Sequence, residues 1–313
     1  MRRLITSIIM LSAFNQLAYA NNISSLTPSL KSESFSVATS LGILDGKSTE
    51  RVYDAESGKK VSQLDWKIKN TPILKGELNW DAWQRLTLNA KGWTSLASRS
   101  STMDDYDWLD DSKSGLTDRS HHSNTRLNYA NEFDLSLRGW LLKADNYKLA
   151  AVAGYQQTRF SWSAYGGDYN YDNGTNIGSF PEGKRTIGYQ QQFSLPYIGF
   201  AGQYLYQGIV VNTLLKFSDW VTAKDNDEHY LRDTTFREKT TNSRYYSAAI
   251  EVGYYITPNA KVSTEFAYNY YSEGKGGSEM INHDTGKTEY SGGDSAGIKN
   301  ENYIISAGVQ YRF

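Results

Sequence analysis

The 313-residue chain contains no cysteine, only 5 prolines and only 4 histidines. Without cysteine there is no disulfide framework, no thiol nucleophile and no sulfur-based metal site. Neither sign of charge is in excess: 33 Lys and Arg face 34 Asp and Glu, so no basic surplus marks a nucleic-acid backbone as partner. Hydrophobic residues make up 39% of the chain, and beyond its N-terminal segment no apolar run reaches the length of a membrane-spanning helix. A bundle of transmembrane helices is thereby excluded. What is abundant is aromatic side chains, 14% of the total with 24 Tyr and 8 Trp, together with 26 Gly. That balance suits strands and turns.

The N-terminus reads as an export signal. Arg2 and Arg3 precede a short apolar core from Leu4 to Phe14, and Ala18-Tyr19-Ala20 fits the small-x-small rule for cleavage. The reading divides the chain into a signal peptide, 1–20, and a single β-barrel domain, 21–313. Any insertion of the exported chain into a membrane must then use strands.

Apolar and polar residues alternate along many segments. At the C-terminus Tyr303, Ile305, Ala307, Val309, Tyr311 and Phe313 share one parity, while Asn302, Ser306, Gln310 and Arg312 share the other. Phe133, Leu135 and Leu137 likewise oppose Glu132, Asp134, Ser136 and Arg138, and Val262, Phe266 and Tyr268 oppose Lys261, Ser263 and Glu265. A period of two gives a strand with one apolar face. The opposite faces carry charges that a dry sandwich core would not accept, whereas the lumen of a barrel can hydrate or pair them. The terminal aromatic also resembles the signal read by the barrel-assembly machinery of the outer membrane.

Tight reversals are read near Asp81 to Trp83, Ala144 to Asn146, Tyr206 to Gly208 and Pro258 to Asn259. Long polar excursions are read near 45–60, 96–125, 162–185, 222–244 and 271–300. Four turns and five extracellular loops connect ten antiparallel strands, an all-β transmembrane barrel with both termini on the periplasmic side. A barrel of this size fills its interior with side chains and does not form an open pore. Segments such as Gln63 to Trp80 exceed the roughly 9–11 residues that cross a bilayer, so the surplus should project outward as a β-collar.

Two acidic clusters lie in the expected collar. Around 101–122 stand Asp104, Asp105, Asp107, Asp110, Asp111 and Asp118 against Lys113 and Arg119, and a second run reads Asp225-Asn226-Asp227-Glu228-His229-Tyr230. A solvated loop explains the first equally well. If extended, however, Asp105 shares a face with Asp107, and Asp225 and Asp227 share one with His229. A histidine beside a carboxylate is an oriented base, and two close carboxylates can hold a proton or a water between them. Together they suggest a hydrolytic site across a β-rim. No histidine spacing fits a zinc site and no EF-hand is present, so no catalytic metal is expected; Ser120 near His122 is a minor candidate nucleophile.

At these residues the chain resembles the omptins, ten-stranded outer-membrane proteases of Gram-negative bacteria. The resemblance runs over the whole mature sequence and is carried by Met103-Asp104-Asp105-Tyr106-Asp107-Trp108, Asp225 to Tyr230, Val61-Ser62-Gln63-Leu64-Asp65-Trp66-Lys67, Asn131-Glu132-Phe133-Asp134-Leu135 and Thr257-Pro258-Asn259-Ala260-Lys261-Val262. Thr235-Phe236-Arg237-Glu238-Lys239-Thr240, with Glu273-Gly274-Lys275-Gly276-Gly277, looks closest to the plasminogen-activating branch.

The resemblance implies an endopeptidase for basic, especially dibasic, sites in cationic peptides and host proteins. His229 would activate a water, Asp227 would orient His229, and Asp105 with Asp107 would position the water, without an acyl-enzyme. Ser120 and His122 would support. Glu50 and Asp225 would form an acidic pocket for the basic residue before the scissile bond, and Asp118 would face the residue after it. Lipopolysaccharide would be partner and activator, held by Tyr155 and Arg159. Gln157, Gln192 and Thr241 depart from the family at lipopolysaccharide positions, where it has Glu, Arg and Lys. Competing readings are a non-enzymatic adhesin whose acidic mouth binds basic ligands, and a lipid-modifying barrel.

Overall fold

The computed structural model describes residues 34–313; the predicted signal peptide lies outside them. Strand follows strand: β1 (Phe35–Tyr53), β2 (Lys60–Trp83), β3 (Leu86–Ser95), β4 (Arg99–Asp107), β5 (Asp118–Lys143), β6 (Tyr147–Tyr165), β7 (Asp168–Tyr171), β8 (Asn176–Ser179), β9 (Arg185–Tyr206), β10 (Ile209–His229), β11 (Thr234–Tyr255), β12 (Ala260–Asn282) and β13 (Lys287–Arg312). β3 and β4 are successive halves of one barrel strand, because both pair with β2 on one side and β5 on the other. β7 and β8 form a hairpin that docks on the end of β5. The remaining strands pair in sequence, and β1 closes on β13, giving an antiparallel ring of ten. Closure leaves no sheet edge in the membrane, as hydrocarbon requires.

The alternation read from sequence sets the two faces. Leu41, Leu78, Leu135, Leu137, Phe200, Ile250, Val252, Ile305 and Val309 are exposed on the outside, while Asp134, Gln156, Lys216, Lys261 and Asn302 are buried within. Four pairs of inward charges meet: Lys216 with Asp134, Lys261 with Glu251, Lys75 with Glu265 and Arg138 with Glu77. The last three pairs line a cavity of about 450 Å³ near the short-turn rim. Phe193, Leu195, Tyr197, Tyr245 and Tyr271 cluster in the barrel interior, the rings of Phe193 and Tyr271 stacked 4.1 Å apart. A second cluster holds Leu64, Trp66, Met103, Phe160, Trp162, Ile187 and Tyr189. The interior is filled by side chains, as the strand count suggests.

Both chain ends lie on the short-turn rim, where the Phe313 N–H donates to the Phe35 carbonyl. The turn between β9 and β10 needs only Gln207 and Gly208, both at positive φ, the geometry of a two-residue hairpin. Two readings of the connections need correction. The first tight turn falls at Gln84-Arg85, after β2 has run through Trp83. The long loops are much shorter than read: strands fill most of 45–60, 222–244 and 271–300, leaving 54–59, 230–233 and 283–286 as turns. Their residues are polar on both faces, which hides strand periodicity. These strands form the collar, and register breaks at Leu44/Gly46, Leu127/Tyr129, Phe217/Thr222 and Tyr271/Gly274 interrupt the ladders along the barrel wall.

Candidate active site

The collar brings the acidic residues inward from facing walls. On β10, Asp225 and Asp227 are buried and His229 is partly buried, all on the inner face. On the facing wall, β4 carries Asp105 and Asp107. Four pairings separate these strands one way round the ring and six the other, so they stand nearly opposite. Their carboxylates still sense each other: burial, then the charges of Asp107 and Asp227, push Asp105 well above the usual carboxylate range. Burial likewise raises Asp107, which lies within electrostatic reach of His229.

His229 Nε2 lies 2.6 Å from Asp227 Oδ2. If Asp227 accepts Nε2–H, Nδ1 keeps its lone pair for a proton, and in this structure Arg232 donates to it. Arg232 sits in the turn 230–233 and its charge favours ionisation of both Asp105 and Asp107. Asp105 Oδ1 and Asp227 Oδ1 are buried without a hydrogen-bond partner among the described residues. Unpaired buried acceptors cost free energy, and each is a site for a donor that substrate or water can bring.

Ser120 and His122 also meet, Ser120 Oγ lying 3.0 Å from His122 Nε2. The other nitrogen of His122 is bonded to the Gly166 carbonyl, and the ring is 1% exposed. Burial depresses its proton affinity, and among the described residues no carboxylate bonds the ring to stabilise an imidazolium.

A second group lies one inward position along β10. Glu50 (β1), Asp225 (β10) and Glu238 (β11) are 2%, 8% and 3% exposed, and oxygens from all three lie within 4.8 Å of one another. Tyr189 Oη donates to Asp225 Oδ2 at 3.0 Å, and the Glu238 N–H donates to Asp225 Oδ1 at 3.1 Å. Burial, followed by the charges of Asp227, Glu238 and Asp225, pushes Glu50 well up; Asp225 is pushed up to about 7, chiefly by burial. Asp118 is cross-strand from Asp107, and its oxygens accept from the Asp172 N–H and the Thr117 hydroxyl. Tyr155 and Arg159 lie on the outer face, well away from the cleft.

Sequence reasoning missed Glu238 and Arg232. Glu238 was legible in part, since Arg237 and Lys239 alternate with Glu238 and Thr240, but a loop assignment over 222–244 concealed the strand. Arg232 carries no signal of its own; only the turn that follows His229 brings it back onto the ring.

Burial of these carboxyls makes the site costly to fold. In an unfolded chain they titrate near pH 4 (an approximate reference), whereas the folded state holds their protons to higher pH. Their contribution to stability is therefore complete below the unfolded values and is lost as pH rises through the folded ones, about 7 for Asp225. Glu50→Gln should raise the midpoint of thermal loss of the fast-migrating barrel on gels by roughly 2–4 °C at about pH 8, and by less at about pH 5. A fall at both pH values would mean that folding gains from the Glu50 charge.

The Omptin family profile matches residues 31–313. The chain is 59% identical over 290 residues to the plasminogen activator of Yersinia pestis, covering 93% of each, and 46% identical to protease 7 of Escherichia coli K12, covering 95% and 96%. The crystal structure of the outer-membrane protease OmpT from Escherichia coli superposes with a TM-score of 0.87 at 46% identity, over 93% of this chain and 100% of that one. A ten-stranded barrel, a carboxylate-rich collar and full-length matches of this order lead to one conclusion: the chain belongs to the omptin family of outer-membrane proteases.

Proposed function

We propose that the collar cleft is an endopeptidase site that cuts next to basic residues by direct attack of water. The observation that carries this reading is the Asp227–His229 pair facing Asp105 and Asp107 from the opposite wall. A substrate entering the cleft displaces Arg232, an exposed turn residue, from His229 Nδ1. Nδ1 then takes a proton from a water held between His229 and the two aspartates. The water oxygen bonds to the scissile carbonyl carbon, and the carbonyl pair moves onto oxygen. Asp227 stabilises the imidazolium. Burial favours a protonated Asp105, which in that form donates a hydrogen bond to the oxyanion. Collapse breaks the C–N bond, and the imidazolium proton leaves with the amine.

The pocket of Glu50 and Asp225 supports a preference for arginine or lysine before the scissile bond. Asp225 and Asp227 are alternate strand residues, about 7 Å apart along β10. That is close to the length of an arginine side chain, so a cation seated in the pocket has its carbonyl beside His229. Asp118 supports acceptance of a second basic residue after the bond through its charge, since its oxygens are already engaged. The relative from Yersinia pestis is named a plasminogen activator, so plasminogen belongs among the substrates to try. An internally quenched Arg-Arg peptide should be cleaved by the purified protein with lipopolysaccharide; binding without turnover would favour the adhesin reading.

Lipopolysaccharide is proposed as the activator, with its phosphates on the outer face. Arg159 (β6), Lys224 (β10) and Lys239 (β11) are exposed and form, with the half-buried Gln192 (β9), one cross-strand row by register. Lys224 directly opposes Lys239, an unfavourable pair that a phosphate between them relieves. The row compensates for Gln192 and Thr241. Tyr155 lies lower on the same face of β6, among lipid-facing residues. Arg159→Glu and Lys224→Glu should each raise the lipopolysaccharide concentration for half-maximal rate by about tenfold, while the saturated rate stays near that of the unmutated chain. An unchanged activation curve in both variants would contradict the assignment.

A further inference from the structure

Glu238 lies in the acidic pocket and needs an account of its own. Three carboxyl groups, each with an oxygen within 4.8 Å of the others, share one volume, and Glu50 Oε2 and Glu238 Oε2 are buried with no donor among the described residues. The groups facing Glu238 are Asp225 and Asp227 from β10, Glu50 from β1, Tyr189 from β9 and the Ser278 hydroxyl from β12, which donates to Glu238 Oε1 at 3.2 Å. Farther across the cleft stands Asp105, which adds to the acidic field at Glu50. No lysine or arginine forms an ion pair with any of the three carboxylates among the described residues. A trio of this density does not hold three negative charges without a cation or a proton.

We propose that Glu238 is the third wall of the pocket and that it shares with Asp225 a proton which is released when a cationic side chain enters. The empty pocket keeps that proton because the carboxyl oxygens of Asp225 and Glu238 lie within 4.8 Å of each other, both groups are buried, and no counter-cation pairs with either among the described residues. An arriving guanidinium offers forked N–H donors to Glu50 Oε2 and Glu238 Oε2 and replaces the proton, which passes to solvent. Cation binding then tightens as pH rises. The inference rests on the reading of this pocket as the recognition site for the basic residue before the scissile bond.

Calorimetry on the full barrel with lipopolysaccharide tests it, using benzamidine as the cationic probe in two buffers of different ionisation enthalpy near neutral pH. The unmutated protein should show a binding enthalpy that differs between the buffers, with a substantial fraction of one proton released per probe. Glu238→Gln places an amide donor beside Asp225 and removes the shared proton. It should release clearly less than the unmutated protein, bind benzamidine about tenfold more weakly at mildly alkaline pH, and converge on the unmutated affinity at mildly acidic pH. A merely structural role for Glu238 would lower affinity equally at all pH values and leave proton release intact, which overturns the proposal. Competitive displacement of benzamidine by millimolar calcium or magnesium would also overturn it by marking a metal site. The buffer comparison on the unmutated chain stands even where the variant folds poorly: equal enthalpies refute the proton release. Failure of benzamidine to bind, or binding indifferent to Glu50→Gln, refutes instead the reading of the pocket itself.

Discussion

Replacing His229 with alanine should lower kcat for an internally quenched Arg-Arg peptide by on the order of 10³-fold, with KM changed little. In the proposed mechanism the imidazole takes the water's proton, while the pocket proposed for the cation is built from other side chains. Asp227→Asn should have a similar effect for a different reason. The carboxylate at 2.6 Å from His229 Nε2 orients the ring and stabilises the charge it acquires. An asparagine there removes the charge and can present its amide to Nε2, turning the ring to the wrong tautomer. Both variants should keep heat-modifiable migration, because His229 ends its strand and neither residue belongs to the aromatic clusters beneath. The double variant should lose little more than either single one, as expected of residues that act as a unit. Full turnover in His229→Ala would require another base.

The second large effect belongs to the pocket. Glu50→Gln and Asp225→Asn should each reduce kcat/KM for an arginine substrate by about 10²–10³-fold, the scale of removing one partner from a buried ion pair. An isosteric citrulline peptide, uncharged but still a hydrogen-bond donor, should be cut slowly by all three proteins at similar rates. Comparing the two peptides separates charge recognition from damage to the fold. Loss of activity on both peptides in equal proportion would show that the substitution had disturbed the catalytic wall, and charge recognition would not follow. The same Glu50→Gln protein is expected to be the more stable one at alkaline pH, so function and stability should move in opposite directions.

Much of the barrel was legible because lipid on one side and charge on the other impose a period of two. Phe133 to Arg138 and Tyr303 to Phe313 declare their faces without help. The collar has water outside and a polar cleft inside, and the contrast fades: Thr234 to Thr240 and Lys287 to Asp294 are strands that sequence reading treated as loop. For the site, alternation alone put Asp225, Asp227 and His229 on one face. It did not say that β4 faces β10, because that follows from the closure of the ring. Glu238 was hidden with its strand. Arg232 depended on a four-residue turn whose path has no periodicity. The row of Arg159, Lys224 and Lys239 needed cross-strand register, which turn positions alone define.

The most direct test of the central claim is to run cleavage of the Arg-Arg peptide in the presence of hydroxylamine and analyse the products by mass spectrometry. The proposed attack by a water held between Asp105, Asp107 and His229 would leave no covalent intermediate, so only the free carboxylate and amine fragments should form and the protein mass should not change during turnover. A peptide hydroxamate, or an acyl adduct on Ser120, would contradict the account and return the chemistry to a serine nucleophile.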